Sequence, residues 1–137
     1  MSAEDVELIR RWFDGLGRGD LQPELWHSEL LMRNWEENPI PGPFRGHDGL
    51  REWWEQFVDA FKDVSLELKE VIDLGDGRLV TTQHVVGRFR STGIPVDGPF
   101  GAIIEIRDGK ILSATGYASP GRAKKAAGLR RPTNGDS

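Results

Sequence analysis

The chain has no cysteine. Disulfides, thiol nucleophiles and thiolate metal sites are thereby excluded, and the redox compartment is left open. Histidine is scarce too. His27, His47 and His84 are scattered, and none stands at i,i+4 from a second ligand type in a zinc spacing, so no metal is expected. A Walker-type phosphate loop, a strand–GxGxxG–helix and a Gly-x-Ser-x-Gly elbow are all missing, and no cofactor is expected. "GLGRGD" comes closest, but it follows a helix pattern and reads as a helix stop. There is no excess of basic charge. The formal net charge is −4, which speaks against nucleic acid or an anionic membrane as partner. No apolar run approaches a membrane span. The opening "MSAEDVELIRR" has neither a basic n-region nor an apolar h-region, so no secretory signal is visible and the cytoplasm is the expected address.

What the chain does have is tryptophan: five in 137 residues. Its 37% hydrophobic and 29% charged residues suit one domain with one core. From Glu4 to Gly17, Val6, Ile9, Phe13 and Leu16 recur at helical spacing, with Leu8 and Trp12 beside them. Pro23 predicts a second, shorter helix to Leu30. "LLMRNWEE" reads as a strand that the prolines at 39, 41 and 43 end. A third helix is predicted from about Asp48 to Phe61, with Leu50, Trp53, Trp54, Phe57, Val58 and Phe61 on its apolar face.

After Lys62 the period changes from helical to two. "VSLELKEVIDL" puts Val64, Leu66, Leu68, Glu70 and Ile72 on one side of a half-buried strand. "RLVTTQHVVGRFR" is a second, rich in β-branched residues. "STGIPVDGP" reads as an irregular connection. "FGAIIEIRDGKILSATGYA" reads as a hairpin turning at Asp108-Gly109. Ser119-Pro120 opens a short helix through Ala127, closed by Gly128. Residues 1–129 make one domain, and 130–137 reads as a frayed tail. The order predicts an α+β fold, a curved antiparallel sheet wrapped around three helices, which leaves a concave apolar pocket.

Several phrases resemble the SnoaL-like branch of the nuclear transport factor 2-like superfamily. They are "FDGLGRGDL", "NWEENPIPGPFRGHDGLREWWEQF", "VIDLGDGRLV", "GRFRSTGIPV" and "RDGKILSATGYASPGRAKKAAGL". The likeness runs from about Val6 to Leu129 and implies a cone-shaped fold, with a homodimer through the outer face of the sheet. The superfamily includes polyketide cyclases, ketosteroid isomerases, epoxide hydrolases, dehydratases and binding proteins, so fold alone does not settle function.

Residue by residue, the known chemistries match in part. Ketosteroid isomerases place a tyrosine donor eight residues before Gly-Asp; before Gly19-Asp20 that position is Trp12. Their second donor falls near Ala102, which cannot donate. Their base aligns to Glu36 counting from Gly19-Asp20, or to Glu37 counting back from Gly46. Epoxide hydrolases of the limonene type need acids and an arginine where this chain has Gly116, Val85 and Gly87. The Asp of a closing Tyr-x-Asp is Ser119.

Glu36 and Glu37 are therefore the candidate bases. In an extended strand they point to opposite faces, and Glu37 shares the face of Trp35. A carboxylate desolvated against an indole is made more basic; two solvated charges at a strand end are the alternative. His84, on the strand face of Val80, Thr82, Val86 and Arg88, is a candidate proton shuttle or a partly exposed strand residue. Trp35, Tyr117, Trp12, Trp53 and Asp97 are the candidate ligand contacts, set against plain core packing or turn chemistry. Two functions stay open: a cofactor-independent cyclase or isomerase acting on a hydrophobic small molecule, and a non-catalytic ligand-binding or dimeric scaffold protein.

Overall fold

The computed structural model describes residues 2–129. The C-terminal tail expected at 130–137 lies outside the described residues. Helix α1 (Ser2–Gly17) and helix α2 (Gly46–Ala60) follow the apolar stripes that predict them. Ile9 and Leu50 are fully buried where those stripes meet the sheet. Strands β1 (Trp26–Arg33), β2 (Phe44–Arg45), β3 (Phe61–Asp73), β4 (Arg78–Phe89), β5 (Pro95–Arg107) and β6 (Lys110–Tyr117) form one sheet in the order β2-β1-β6-β5-β4-β3. Helix α3 (Pro120–Ala126) starts where Ser119 Oγ accepts from the Arg122 N–H at 3.1 Å, the N-cap that Ser-Pro predicts.

Four expectations need correction. The second helix is only a three-residue 3₁₀ turn, Pro23–Leu25, and the chain is already extended at Trp26. Trp26, Leu30 and Met32 are buried against the sheet, alternating by two from Leu30 on, so packing on the sheet overrides the helix signal of Pro23. The sheet is mixed, because β1 runs parallel to β6 through Met32↔Ala114 and Arg33↔Thr115. "STGIPVDGP" is less irregular than it reads, since β5 begins at Pro95. Finally, β3 does not keep one parity. A bulge between Leu68 and Glu70 inverts it, so Val71 packs on the core while Glu70 meets Lys124 of α3 at 3.1 Å.

The two faces of the sheet do different work. α1 and α2 pack on the concave face, around a core that includes Trp12, Phe13, Trp26, Trp53, Leu79 and Ile104. α3 packs on the other face at Gly101, whose missing side chain makes room for Ala123 and Pro120. Arg90, just past β4, donates its guanidinium N–H groups to the carbonyls of Val58 and Phe61, both at 3.0 Å. That places a cation at the C-terminal end of α2, where the helix dipole favours one.

Candidate functional site

The concave face and its helices leave a cavity of about 430 Å³, within the range of small-molecule sites. Alternation along each strand decides what reaches it. On β4, Gln83, Val85, Gly87 and Phe89 line it; on β5, Val96, Phe100, Ala102 and Ile104; on β6, Ala114 and Gly116. An aromatic wall runs along the helix side. Trp12 lies 6.2 Å from Trp53, Trp53 lies 5.6 Å from Phe57, Phe57 lies 5.2 Å from Phe61, and Phe61 lies 5.0 Å from Phe89, all between ring centroids. Such a wall suits a flat, apolar ligand.

The mouth is rimmed by the loop between β1 and β2. Its backbone and amides tie it into a closed unit. The Asn34 N–H donates to Pro41 O at 2.9 Å, and Asn34 Nδ2 donates to Ile40 O at 3.0 Å. The Ile40 N–H donates to Asn38 Oδ1 at 2.7 Å, and the Asn38 N–H to Trp35 O at 3.0 Å. Ile40 is buried and pins the loop to the core. Trp35 lies flat on Phe100, with centroids 5.6 Å apart and planes 13° apart.

This loop alters the reading of Glu36 and Glu37. The chain leaves the extended conformation after Arg33, so strand parity does not apply to them. Both sit in a turn, exposed, and neither is among the residues lining the cavity. Trp35 does line it, but Glu37 does not share its environment. The turn chemistry of Asn34 and Asn38-Pro39 is the signal that marks the strand's end.

The other candidates divide by face. Trp12, Trp53 and Trp35 line the cavity. His84 does not: its neighbours Gln83 and Val85 point inward, so it points to the opposite face. There His84 Nε2 lies 2.7 Å from Asp97 Oδ1. Asp97 is not a rim residue of an irregular loop; it lies in β5, exposed, on the face opposite Val96. Tyr117, half-buried, follows the inward Gly116 and also lies outside the cavity lining. The structure thus brings the three tryptophans together and pairs His84 with Asp97 elsewhere.

Several lining residues are not among the sequence candidates. Gln83 presents a carboxamide from the middle of β4. Asn34 lays its side chain over Gly116. Asp63 is the one carboxylate residue among the described lining residues; it is exposed, in a bulged part of β3, with φ of 57°. Asp63 could have been suspected where the pattern switches from helix to strand, and Gln83 from its inward parity. No three His, Asp or Glu side chains among the described residues cluster as a metal site. No described helix is long and apolar enough to cross a membrane.

The model of the SnoaL-like domain matches residues 9–114. No curated protein sequence matches the chain. Solved structures are similar in fold. TerC, co-crystallised with polyporic acid, is 19% identical; the match covers 82% of this chain and 89% of that one, with a TM-score of 0.73. An NTF2-like protein from Burkholderia xenovorans LB400 is 23% identical, covering 88% and 95%, with a TM-score of 0.71. A protein with a ketosteroid isomerase-like fold from Catenulispora acidiphila DSM 44928, solved with trimethylamine, is 15% identical, covering 90% and 93%, with a TM-score of 0.69.

Proposed function

The chain belongs to the SnoaL-like domain family, and from that premise we propose that it binds a hydrophobic, ring-bearing small molecule in the cavity, as a ligand-binding protein. One observation carries this reading. The cavity has an aromatic wall and amide groups, but among the described residues no histidine lines it and its one carboxylate residue is exposed. A mainly apolar cavity of this size offers a ligand burial of its rings, worth about 25 cal/mol per Å² of apolar surface removed from water. Acid–base catalysis asks for more, namely a base within hydrogen-bond reach of the proton it removes. Two fold neighbours were solved with small molecules, polyporic acid and trimethylamine, which agrees with a ligand-holding use of this scaffold.

The second reading is cofactor-independent cyclisation or isomerisation, with Glu36 or Glu37 as base; His84 and Tyr117, which do not line the cavity, drop out as polar helpers. One observation favours it: both glutamates belong to the loop that rims the mouth, adjacent in sequence to Trp35. It requires that loop to turn a glutamate inward.

Native mass spectrometry of the purified protein separates the readings. A retained non-covalent small molecule, recovered unchanged after release and rebound without conversion, is the expected result. Conversion of the rebound molecule, abolished by Glu36→Gln or Glu37→Gln, would replace binding by catalysis.

A further inference from the structure

Gln83 is a polar side chain on the sheet wall of the cavity, and a neighbour fixes its orientation. It shares the inward face of β4 with Thr81, two residues before it. Thr81 is fully buried, and its hydroxyl donates to Gln83 Oε1 at 2.9 Å. A carboxamide has one acceptor oxygen and two N–H donors. Thr81 occupies the oxygen, so Gln83 Nε2 keeps both donors, and they have no partner among the described residues.

Two other lining donors have no partner among the described residues, Asn38 Nδ2 on the loop and Trp12 Nε1 buried on the helix side, whereas Gln83 stands mid-strand on the sheet wall. Asn34 Nδ2 is given to Ile40 O, and Asn38 Oδ1 accepts from the Ile40 N–H. Arg90 is engaged with the carbonyls at the end of α2, and Lys62 and Asp63 are exposed. Gln83 pairs in register with Phe100, whose ring carries Trp35. The free donors therefore sit beside the stacked pair, in a mainly apolar wall. A donor that a ligand covers without matching is costly, so occupancy favours a ligand that brings an acceptor. Arg33 and Lys62 also line the cavity but stand exposed to water, so a carboxylate at Gln83 would give up its water for an uncharged donor, which favours a neutral oxygen there.

Resting on the ligand-binding reading above, we infer that the cavity selects a ring compound bearing a neutral carbonyl, that Gln83 Nε2 donates to that oxygen, and that Thr81 is the positioning residue that keeps the donor facing inward. Gln83 decides specificity; the aromatic wall supplies affinity without it.

The test compares 9-fluorenone with fluorene, which differ by C=O against CH₂, in equilibrium dialysis against the whole protein. The wild-type chain should favour fluorenone by about fivefold, the worth of one ordinary hydrogen bond. Gln83→Leu and, as a second variant of similar length, Gln83→Met should remove that preference. Circular dichroism shows whether each variant is folded, and either folded one suffices. Thr81→Val, nearly equal in shape, should reduce the preference part-way, because the amide is then free to turn its oxygen inward. The wild-type preference should stay level between pH 5 and pH 9, since an amide does not titrate. A preference that survives Gln83→Leu or Gln83→Met, or that is absent from the wild type, overturns the inference while leaving the pocket reading intact. An unchanged preference in Thr81→Val overturns the role of Thr81. Binding of neither compound overturns the pocket reading and this inference with it.

Discussion

The side chain of Asn34 lies where Gly116 would carry a Cβ atom, with Asn34 Oδ1 the nearest atom to that position. One residue directly follows β1 and the other lies near the end of β6, so the contact joins the loop at the mouth to the sheet. The same amide holds Ile40 O through Nδ2. Any side chain at position 116 must displace it. Gly116→Ala should therefore cost about 1–3 kcal/mol by overpacking. It should lower the denaturant midpoint with the slope unchanged. Asn34→Ala in the Gly116→Ala background should recover part of the loss, because the clash is then gone. Two losses that simply add would show that the two residues do not meet.

Trp35 and Phe100 should act as the door of the cavity. Their stack is worth about 0.5–1.5 kcal/mol beyond the area it buries. Trp35 is half-buried on a loop tied by hydrogen bonds among its own residues, so its ring can be removed without unpairing the sheet. Trp35→Ala should leave the fold intact by circular dichroism. Stopped-flow mixing with 9-fluorenone should show association and dissociation both accelerated, with dissociation the more so. Unchanged rates would mean that the ligand passes elsewhere.

The long amphipathic elements were readable because their burial repeats faithfully. In α1, Ile9, Phe13 and Leu16 are buried as their spacing predicts. The turn at Asp108-Gly109 and the cap at Ser119 rest on local chemistry, and both are found. Legibility failed where tertiary pairing overrode local signals. Pro23 reads as a helix start, but β1 gains a parallel partner in β6 that only the folded sheet supplies. The candidate site failed at the same place. Trp12, Trp35 and Trp53 could be suspected from size and polarity alone, and they line the cavity. Glu36, Glu37 and Gln83 depend on which way a backbone faces. An early exit from β1 at Asn34 decides the first two, and an unbroken β4 register across from β5 decides the third.

Gly101 should prove the tightest joint on the outer face. A Cβ there would lie 2.7 Å from Ala123 Cβ and 3.0 Å from Pro120 Cα. Both belong to α3, whose seven residues are too few to hold themselves helical without packing. Gly101→Ala should lift α3, break the 3.1 Å ion pair of Lys124 with Glu70, and cost about 1–3 kcal/mol. Trypsin should then cut after Lys124 or Lys125 faster than in the wild type at the same denaturant distance from the midpoint. Equal cutting would show that α3 stays seated.

The contrast between His84 and Gln83 gives the sharpest check on where function resides. They are adjacent on β4 and face opposite sides of the sheet. His84 meets the exposed Asp97, and exposed ion pairs are worth about 0–1 kcal/mol. His84→Ala should therefore change stability little and leave 9-fluorenone affinity within about twofold, well below the effect of losing one hydrogen bond to the ligand. Glu36→Gln and Glu37→Gln should do the same, since both carboxylates already stand in water. If instead any of the three weakens binding tenfold in equilibrium dialysis, about 1.4 kcal/mol, its side chain must reach the ligand. For the glutamates, that would mean the loop folds inward when the cavity is filled. For His84, it would mean a second site on the outer face. Measuring all three at once distinguishes these, because a moving loop would shift the glutamates and spare the histidine.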